Sequence, residues 1–297
     1  MTDEKYLAGK INLHTHTYRC NHAEGTVEDY CRAAVELGVT TLGFSEHMPF
    51  PNGEHSGSRM KMEELPLYRA EVEQAKSFSP DLLVLAGLEL EYAPAVMSME
   101  FYRELKEKLA LDYCIGGTHF VTDDDGSPAV WKLLFSGDTP EKHILRYIKS
   151  NIHFLEIASD LLDYMVHPDF CMMGTNAWTP DIRAAFRDLA QASNTFGVPL
   201  EINAYGLRKG EKAHYPWLPF WEIAAEENVK CVIGADAHRP QDVCGRTDDC
   251  VALAEKLGLQ IVTKEIIRKF KGCKAPTHRA ALATRAACEV QRMKNEE

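Results

Sequence analysis

Short apolar runs recur along this chain, and nearly every one ends on a histidine or an acid. Ile11-Asn12-Leu13 leads to His14 and His16, and Thr41-Leu42-Gly43-Phe44-Ser45 leads to Glu46 and His47. Leu82-Leu83-Val84-Leu85-Ala86-Gly87 leads to Glu89 and Glu91, and Tyr113-Cys114-Ile115-Gly116-Gly117 to His119. Tyr164-Met165-Val166 leads to His167 and Asp169, Pro199-Leu200 to Glu201 and Asn203, and Cys231-Val232-Ile233-Gly234 to Asp236 and His238. Apolar runs of this length predict strands. Helical patterns lie between them. Thr26-Val27-Glu28-Asp29 opens one helix with a capping-box pattern, and Gly38 closes it. Further helical stretches are predicted over 63–78, 98–109, 140–158, 180–195, 216–227, 246–257 and 264–271.

Strands alternating with helices at this spacing predict βα units and a parallel sheet. The candidate chemistry gathers at the C-terminal end of nearly every strand. That favours a closed α/β barrel over an open sheet, whose site would gather at one switch point. One domain is expected over 1–274, with a helical appendage over 275–297. The polar and Gly-containing stretch from Pro49 to Met62 reads as a mobile loop beside the site.

On a strand, His14 and His16 project to the same side, where two imidazoles can grip one metal ion. Strand polarity alone would also produce such a pair, but six of the twelve histidines fall at or just after the apolar runs, with acids interleaved. Imidazole nitrogens and carboxylate oxygens together suit Zn, Mn or Fe as divalent ions. So many ligands exceed the needs of one ion. Two to three ions with a bridging carboxylate are expected, an arrangement suited to phosphoester hydrolysis. No Gly-rich phosphate loop and no Gly-x-Ser-x-Gly elbow points elsewhere.

Composition narrows the class. At 297 residues, 45% hydrophobic and 26% charged, the chain has the make-up of a globular protein with a large core. Nine cysteines without a Cys-x-x-Cys pair, behind an N-terminus lacking a secretory pattern, predict reduced thiols and a cytoplasmic protein. The net charge of −11 argues against general binding to nucleic acid or an anionic membrane. Lys264 to Glu297 carries nine Lys and Arg against four Asp and Glu, and reads as a solvated terminal helix.

His14-x-His16, Cys20-Asn21-His22-Ala23, Gly43-Phe44-Ser45-Glu46-His47, Gly87-Leu88-Glu89, His167-Pro168-Asp169 and Asp236-Ala237-His238 together resemble the motif series of the PHP (polymerase and histidinol phosphatase) superfamily, in the order and spacing of its histidinol-phosphatase branch. The resemblance covers about residues 10 to 270. It implies a distorted (β/α)7 barrel with a trinuclear metal site. Carried over, it places His14, His16, Glu89 and Asp236 at one metal, and His22, His47 and His238 at a second. Glu89 would bridge to a third, completed by His119 and His167. It marks Glu89, Asp236 and His238 as catalytic. Glu91 is the rival bridge. Glu201 and Asn203 match the strand before the branch's anion-binding loop, where Arg208 and Lys209 would bind phosphate.

Two departures stand out. Asn12 occupies a position where the family often has Asp. Phe170-Cys171-Met172-Met173 follows Asp169 where the branch commonly carries a basic residue that holds phosphate. Arg59 or Arg239 would then substitute. The resulting expectation is a metal-dependent phosphomonoesterase, histidinol-phosphatase-like, whose partner is a small phosphorylated substrate. Alternatives are a PHP phosphoesterase acting on a nucleotide or sugar phosphate, and a non-catalytic metal-binding PHP module. A nuclease would want a basic groove that the acidic body does not offer.

Overall fold

The computed structural model describes residues 10–122, 128–130, 139–210, 213–262 and 266. The expected helix over 264–271, apart from Ile266, and the appendage over 275–297 lie outside the described residues. Eight parallel strands form one curled sheet in the order β1 (Ile11–Asn12), β2 (Thr41–His47), β3 (Leu83–Glu91), β4 (Tyr113–Gly117), β7 (Tyr164–Met165), β8 (Leu200–Asn203), β9 (Lys230–Gly234) and β10 (Gln260–Ile261). A separate antiparallel ribbon, β5 (Val121–Thr122) with β6 (Pro128–Val130), follows β4.

The sheet closes on itself beyond its regular ladders. Thr15 bridges Ala237 in parallel, so the chain after β1 meets the chain after β9. His16 N donates to Ala237 O at 2.9 Å, Ala237 N donates to His14 O at 3.1 Å, and Ser45 N donates to Thr15 O at 2.9 Å. The strand β10 pairs with β9 at the opposite end, at Lys230 and Cys231. The closed ring therefore runs through seven strands, the distorted (β/α)7 barrel that the motif series implies. Asn12 reinforces the closure. Its Oδ1 accepts from His14 N and Ala235 N, and its Nδ2 donates to Thr15 Oγ1. An aspartate there would have no amide donor to offer.

The helices α1 (Val27–Glu36), α2 (Leu65–Ala75), α3 (Met99–Lys108), α4 (Pro140–Ala158), α5 (Pro180–Phe196), α7 (Leu218–Glu226) and α8 (Thr247–Leu257) follow the predicted stretches. The capping box at Thr26 forms as expected, with Thr26 Oγ1 accepting from Asp29 N and Asp29 Oδ2 accepting from Thr26 N. A five-residue helix α6 (Tyr205–Lys209) stands where the sequence predicts a loop.

Alternation divides the barrel strands. Leu42 and Phe44 of β2 and Leu200 and Ile202 of β8 pack in the outer core beneath the helices. Ile11, Leu13, Leu85, Tyr113, Ile115, Tyr164, Val166 and Val232 form a second cluster inside the ring. Tyr113 lies across Gly43 and Gly87, where an added Cβ would sit 2.3 Å from its hydroxyl and 2.5 Å from its ring. The inward series on β3 continues from Leu85 through Gly87 to Glu89 and Glu91, which places the two acids directly above this apolar plug.

Candidate metal centre

Two ligand-bearing segments break strand alternation. Leu13 belongs to the interior cluster while its neighbour His14 belongs to the cluster of polar residues above it. Val166 and His167 repeat the pattern, and His167 takes a left-handed φ of 29°. Asp236 is left-handed as well, at φ 49°. Non-glycine residues in this region cost energy and concentrate at functional sites.

Glu89, 1% exposed, is the hub. Its Oε2 lies 2.6 Å from His47 Nδ1, 3.6 Å from His16 Nε2 and 3.7 Å from His14 Nε2. Its Oε1 lies 3.0 Å from His167 Nε2 and 3.4 Å from His119 Nε2. Asp236 Oδ1 faces His16 Nε2 at 3.3 Å and His14 Nε2 at 3.6 Å. His22 and His238 meet Nε2 to Nε2 at 3.0 Å, and His16 stacks on His47 at a ring-centroid separation of 4.1 Å. His16, His47 and His238 also offer nitrogens to one point, and Cys20 Sγ with nitrogens of His22 and His238 converges in the same way. Glu91 does not share this convergence. Its Oε1 accepts from His119 N at 2.6 Å, and its Oε2 accepts from His119 Nδ1 at 2.8 Å and Arg59 Nη2 at 2.6 Å.

A ring of outer groups fixes these ligands. His14 Nδ1 donates to Glu201 Oε1 at 2.8 Å, while Glu201 Oε2 accepts from His167 N and Asn203 Nδ2. Asn203 Nδ2 also reaches Asp236 Oδ2 at 3.2 Å, leaving Oδ1 to the imidazoles. Gly234 makes room for Glu201, since a Cβ there would overlap Glu201 Oε1 at 1.7 Å. Glu46 Oε1 accepts from Thr17 N and Thr17 Oγ1, and its Oε2 stands 4.0 Å from His16 Nδ1. The sequence placed Glu46 beside His47 without giving it this work.

Burial drives the electrostatics, and neighbouring charges redirect it. Burial pushes the His238 and His22 pKa values down, to about 3 and about 4, helped by neighbouring imidazoles. His16 and His47 fall for the same first reason. Burial also opposes a charged His14, but Glu201, Asp236 and Glu89 outweigh it and raise its pKa. For Glu89 burial favours the protonated acid, and the His119, His47 and His14 imidazoles reverse this, holding it well below the usual carboxylate range.

Several ligand atoms are buried outside hydrogen-bond geometry: His14 Nε2, His16 Nε2 and Asp236 Oδ1, together with His47 Nδ1 and Glu89 Oε2, which face each other at 2.6 Å but are misaligned for a hydrogen bond. Each such orphan costs about 1–3 kcal/mol in a folded protein. That five of them converge on one small volume fits divalent cations, whose Lewis acidity would use every one of these lone pairs.

The cluster forms the floor of a cavity of about 440 Å³. Phe120, Phe170, Met173, Tyr205 and Tyr215 make its walls, with Arg59 and Lys209 as its cationic side chains among the described residues. Phe170 and Met173 thus face the cavity at the place where a basic residue was absent from the sequence, and the aromatic wall carried no motif that could have announced it. The Pro49–Met62 loop does border the site, but it is anchored. Asn21 Nδ2 donates to Ser56 O and Arg59 O, and Arg59 is 3% exposed.

Arg208 departs from expectation. It does not line the cavity. Its Nη1 donates to Gly245 O at 2.7 Å, and its Nη2 to Ala235 O at 2.6 Å and Asp236 O at 3.0 Å. The short helix α6 turns the side chain back onto the β9 exit loop, so its donors are spent on backbone carbonyls rather than presented to an anion. Arg239 is also outside the lining and lies 3.6 Å from Glu24 on the surface. Asp169 faces away from the cluster, its Oδ2 accepting from Trp217 N and Trp221 Nε1.

A parallel barrel carrying a buried His and carboxylate cluster at its C-terminal strand ends defines a metal-binding hydrolase scaffold. The PHP domain family profile matches residues 12–205, and the chain belongs to the PHP family. It is 30% identical over 260 residues to a Deinococcus radiodurans protein named "Probable histidinol-phosphatase", covering 86% of this chain and 97% of that one. A hisK structure from Listeria monocytogenes superposes with a TM-score of 0.67 at 23% identity, over 80% of this chain and 98% of that chain. A histidinol phosphate phosphatase from Lactococcus lactis, solved with zinc, L-histidinol and phosphate, gives a TM-score of 0.65 at 17% identity, over 85% and 95% of the two chains. No helix among the described residues is long and apolar enough to cross a membrane.

Proposed function

We propose that this protein is a metal-dependent phosphomonoesterase that hydrolyses L-histidinol phosphate to histidinol and phosphate. The observation that carries the reading is the convergence of buried imidazole and carboxylate atoms on the cavity floor. About two to three divalent ions of Zn, Mn or Fe match so large a donor set. His14, His16, Glu89 and Asp236 hold the first, His22, His47 and His238 the second, and Glu89, His119 and His167 the third. Bound there, the ions supply a water of lowered pKa and charge compensation for the phosphoryl oxygens.

The chain's own groups do the rest. Glu201 fixes His14 with Nε2 inward, and Glu91 does the same for His119. Lys209, held over the Tyr205 ring at 4.3 Å, brings an ammonium to the cavity wall for a phosphate oxygen. Phe120, Phe170 and Tyr215 offer flat apolar faces to an imidazole-bearing alcohol.

A second reading, hydrolysis of another small phosphate, is favoured by Phe170 and Met173 standing where the branch carries a basic residue. Chelator-stripped protein, supplied with Zn²⁺ or Mn²⁺ and offered histidinol, nucleotide and sugar phosphates, separates the two. The first reading expects the highest kcat/KM on L-histidinol phosphate. Faster turnover of a nucleotide or sugar phosphate would support the second.

A further inference from the structure

Arg59 is a buried cation with an unusual set of neighbours. It leaves the Pro49–Met62 loop in an extended conformation and places its guanidinium between Phe50 and Phe120, 5.2 and 5.3 Å from their ring centroids. Its Nη2 donates to Glu91 Oε2 at 2.6 Å. Its backbone carbonyl accepts from Asn21 Nδ2 at 2.9 Å, one residue from His22. Glu91 is 1% exposed and spends its other contacts on His119, through the backbone N and through Nδ1. His119 then presents Nε2 to Glu89 Oε1.

A buried carboxylate needs a cation partner, and one that orients a histidine needs to be oriented itself. We infer that Arg59 is a positioning residue: through Glu91 it holds His119 with Nε2 turned toward Glu89, and so sets the affinity of the metal position that His119 helps form. This rests on the metal-centre reading above. A direct phosphate contact makes different demands, because it would leave metal binding untouched and act on KM.

The test is a double-mutant cycle on the full chain with two readouts. Metal retention is measured by elemental analysis after gel filtration, and affinity by competition with a chromophoric chelator using Zn²⁺. Loss of an outer-sphere partner lowers metal affinity by about 10–100-fold, and Arg59→Gln is expected to fall in that range with KM changed by less than about threefold. In a Glu91→Gln background the same change should add less than about twofold, because the path is already cut. Arg59→Lys keeps a cation against Glu91 and should hold metal within about threefold of wild type. It also serves if Arg59→Gln does not fold, a point that circular dichroism settles.

Unchanged metal affinity in Arg59→Gln, with KM or the inhibition constant of inorganic phosphate raised about tenfold, would assign Arg59 to the substrate and overturn the inference. Fully additive losses in the Glu91→Gln background would overturn it too. Wild-type protein that retains no metal would bring down the metal-centre reading and this inference together. Wild-type protein that holds metal beside an unaffected Arg59→Gln removes the inference alone.

Discussion

His22 and His238 face each other Nε2 to Nε2 at 3.0 Å, and each donates its Nδ1 hydrogen to a backbone carbonyl, His22 to Cys20 O and His238 to Asp236 O. Two neutral imidazoles so oriented point lone pairs at each other. A proton shared between them would relieve the repulsion, but burial drives both pKa values down, to about 4 and about 3. A divalent cation relieves it instead. His22→Ala is therefore expected to lose about one metal position with the barrel intact, since the residue sits at the cavity mouth. Elemental analysis checks it, and an unchanged metal content contradicts it.

Glu89→Gln removes the charge on which five imidazoles converge. Activity is expected to fall more than about 100-fold together with metal content, while the far-ultraviolet spectrum is kept. Turnover near normal in Glu89→Gln, with a collapse in Glu91→Gln, would mean that Glu91 is the bridging acid.

Glu201→Gln tests the outer ring. The amide that replaces the carboxylate can present an N–H to His14 Nδ1, which disfavours the tautomer with Nε2 inward. Metal affinity is expected to drop by about 10–100-fold. Chelator competition measures it, and an effect smaller than about threefold would show that His14 needs no such partner.

Arg208→Ala should act on the fold of the β9 exit loop rather than on substrate capture. Three carbonyls lose a charged donor, at Ala235, Asp236 and Gly245. The expected cost is about 1–3 kcal/mol of stability, with kcat reduced through a displaced Asp236 and KM little changed. A rise in KM at unchanged kcat and unchanged melting temperature would restore Arg208 to the phosphate.

The metal-free protein should lose stability as pH falls from 6.5 to 4.5. In that window the unfolded chain protonates its histidines, whereas the fold keeps His22, His47 and His238 neutral and lowers the pKa of His16 as well. Glu46 and Asp169 oppose this, because burial lifts them to about 8 and about 6 and they hold protons that the unfolded chain has released. Four imidazoles against two carboxyls leave more protons on the unfolded state, so stability rises with pH. His14 and His167 are shifted upward and act above this window, while Glu89 and Asp236 are shifted downward and act below it. Thermal midpoints of stripped protein at pH 6.5 and 5 check the sign.

The strands and most helices were legible because period-2 and period-3.6 patterns are written locally, and Thr26 with Asp29 announces its own helix start. The ligand atoms were legible because a parallel barrel delivers strand-end residues to one face. Tertiary choices were not. The direction of Arg208 depends on α6, five residues whose packing no local pattern dictates. The burial of Arg59 depends on Phe50 of its own loop, Phe120 of the loop after β4 and Glu91 at the end of β3. The turn that brings both Val166 and His167 inward depends on a left-handed φ at a histidine, for which the sequence offers no glycine as a signal.

The most direct measurement couples metal content to catalysis. Chelator-stripped protein is titrated with Zn²⁺ or Mn²⁺ while bound metal and phosphate release from L-histidinol phosphate are followed together. Activity is expected to be absent from the stripped protein, to rise with occupancy and to level at about two to three ions per chain. Fewer than one ion per chain after reconstitution, or full hydrolysis by the stripped protein, would contradict it.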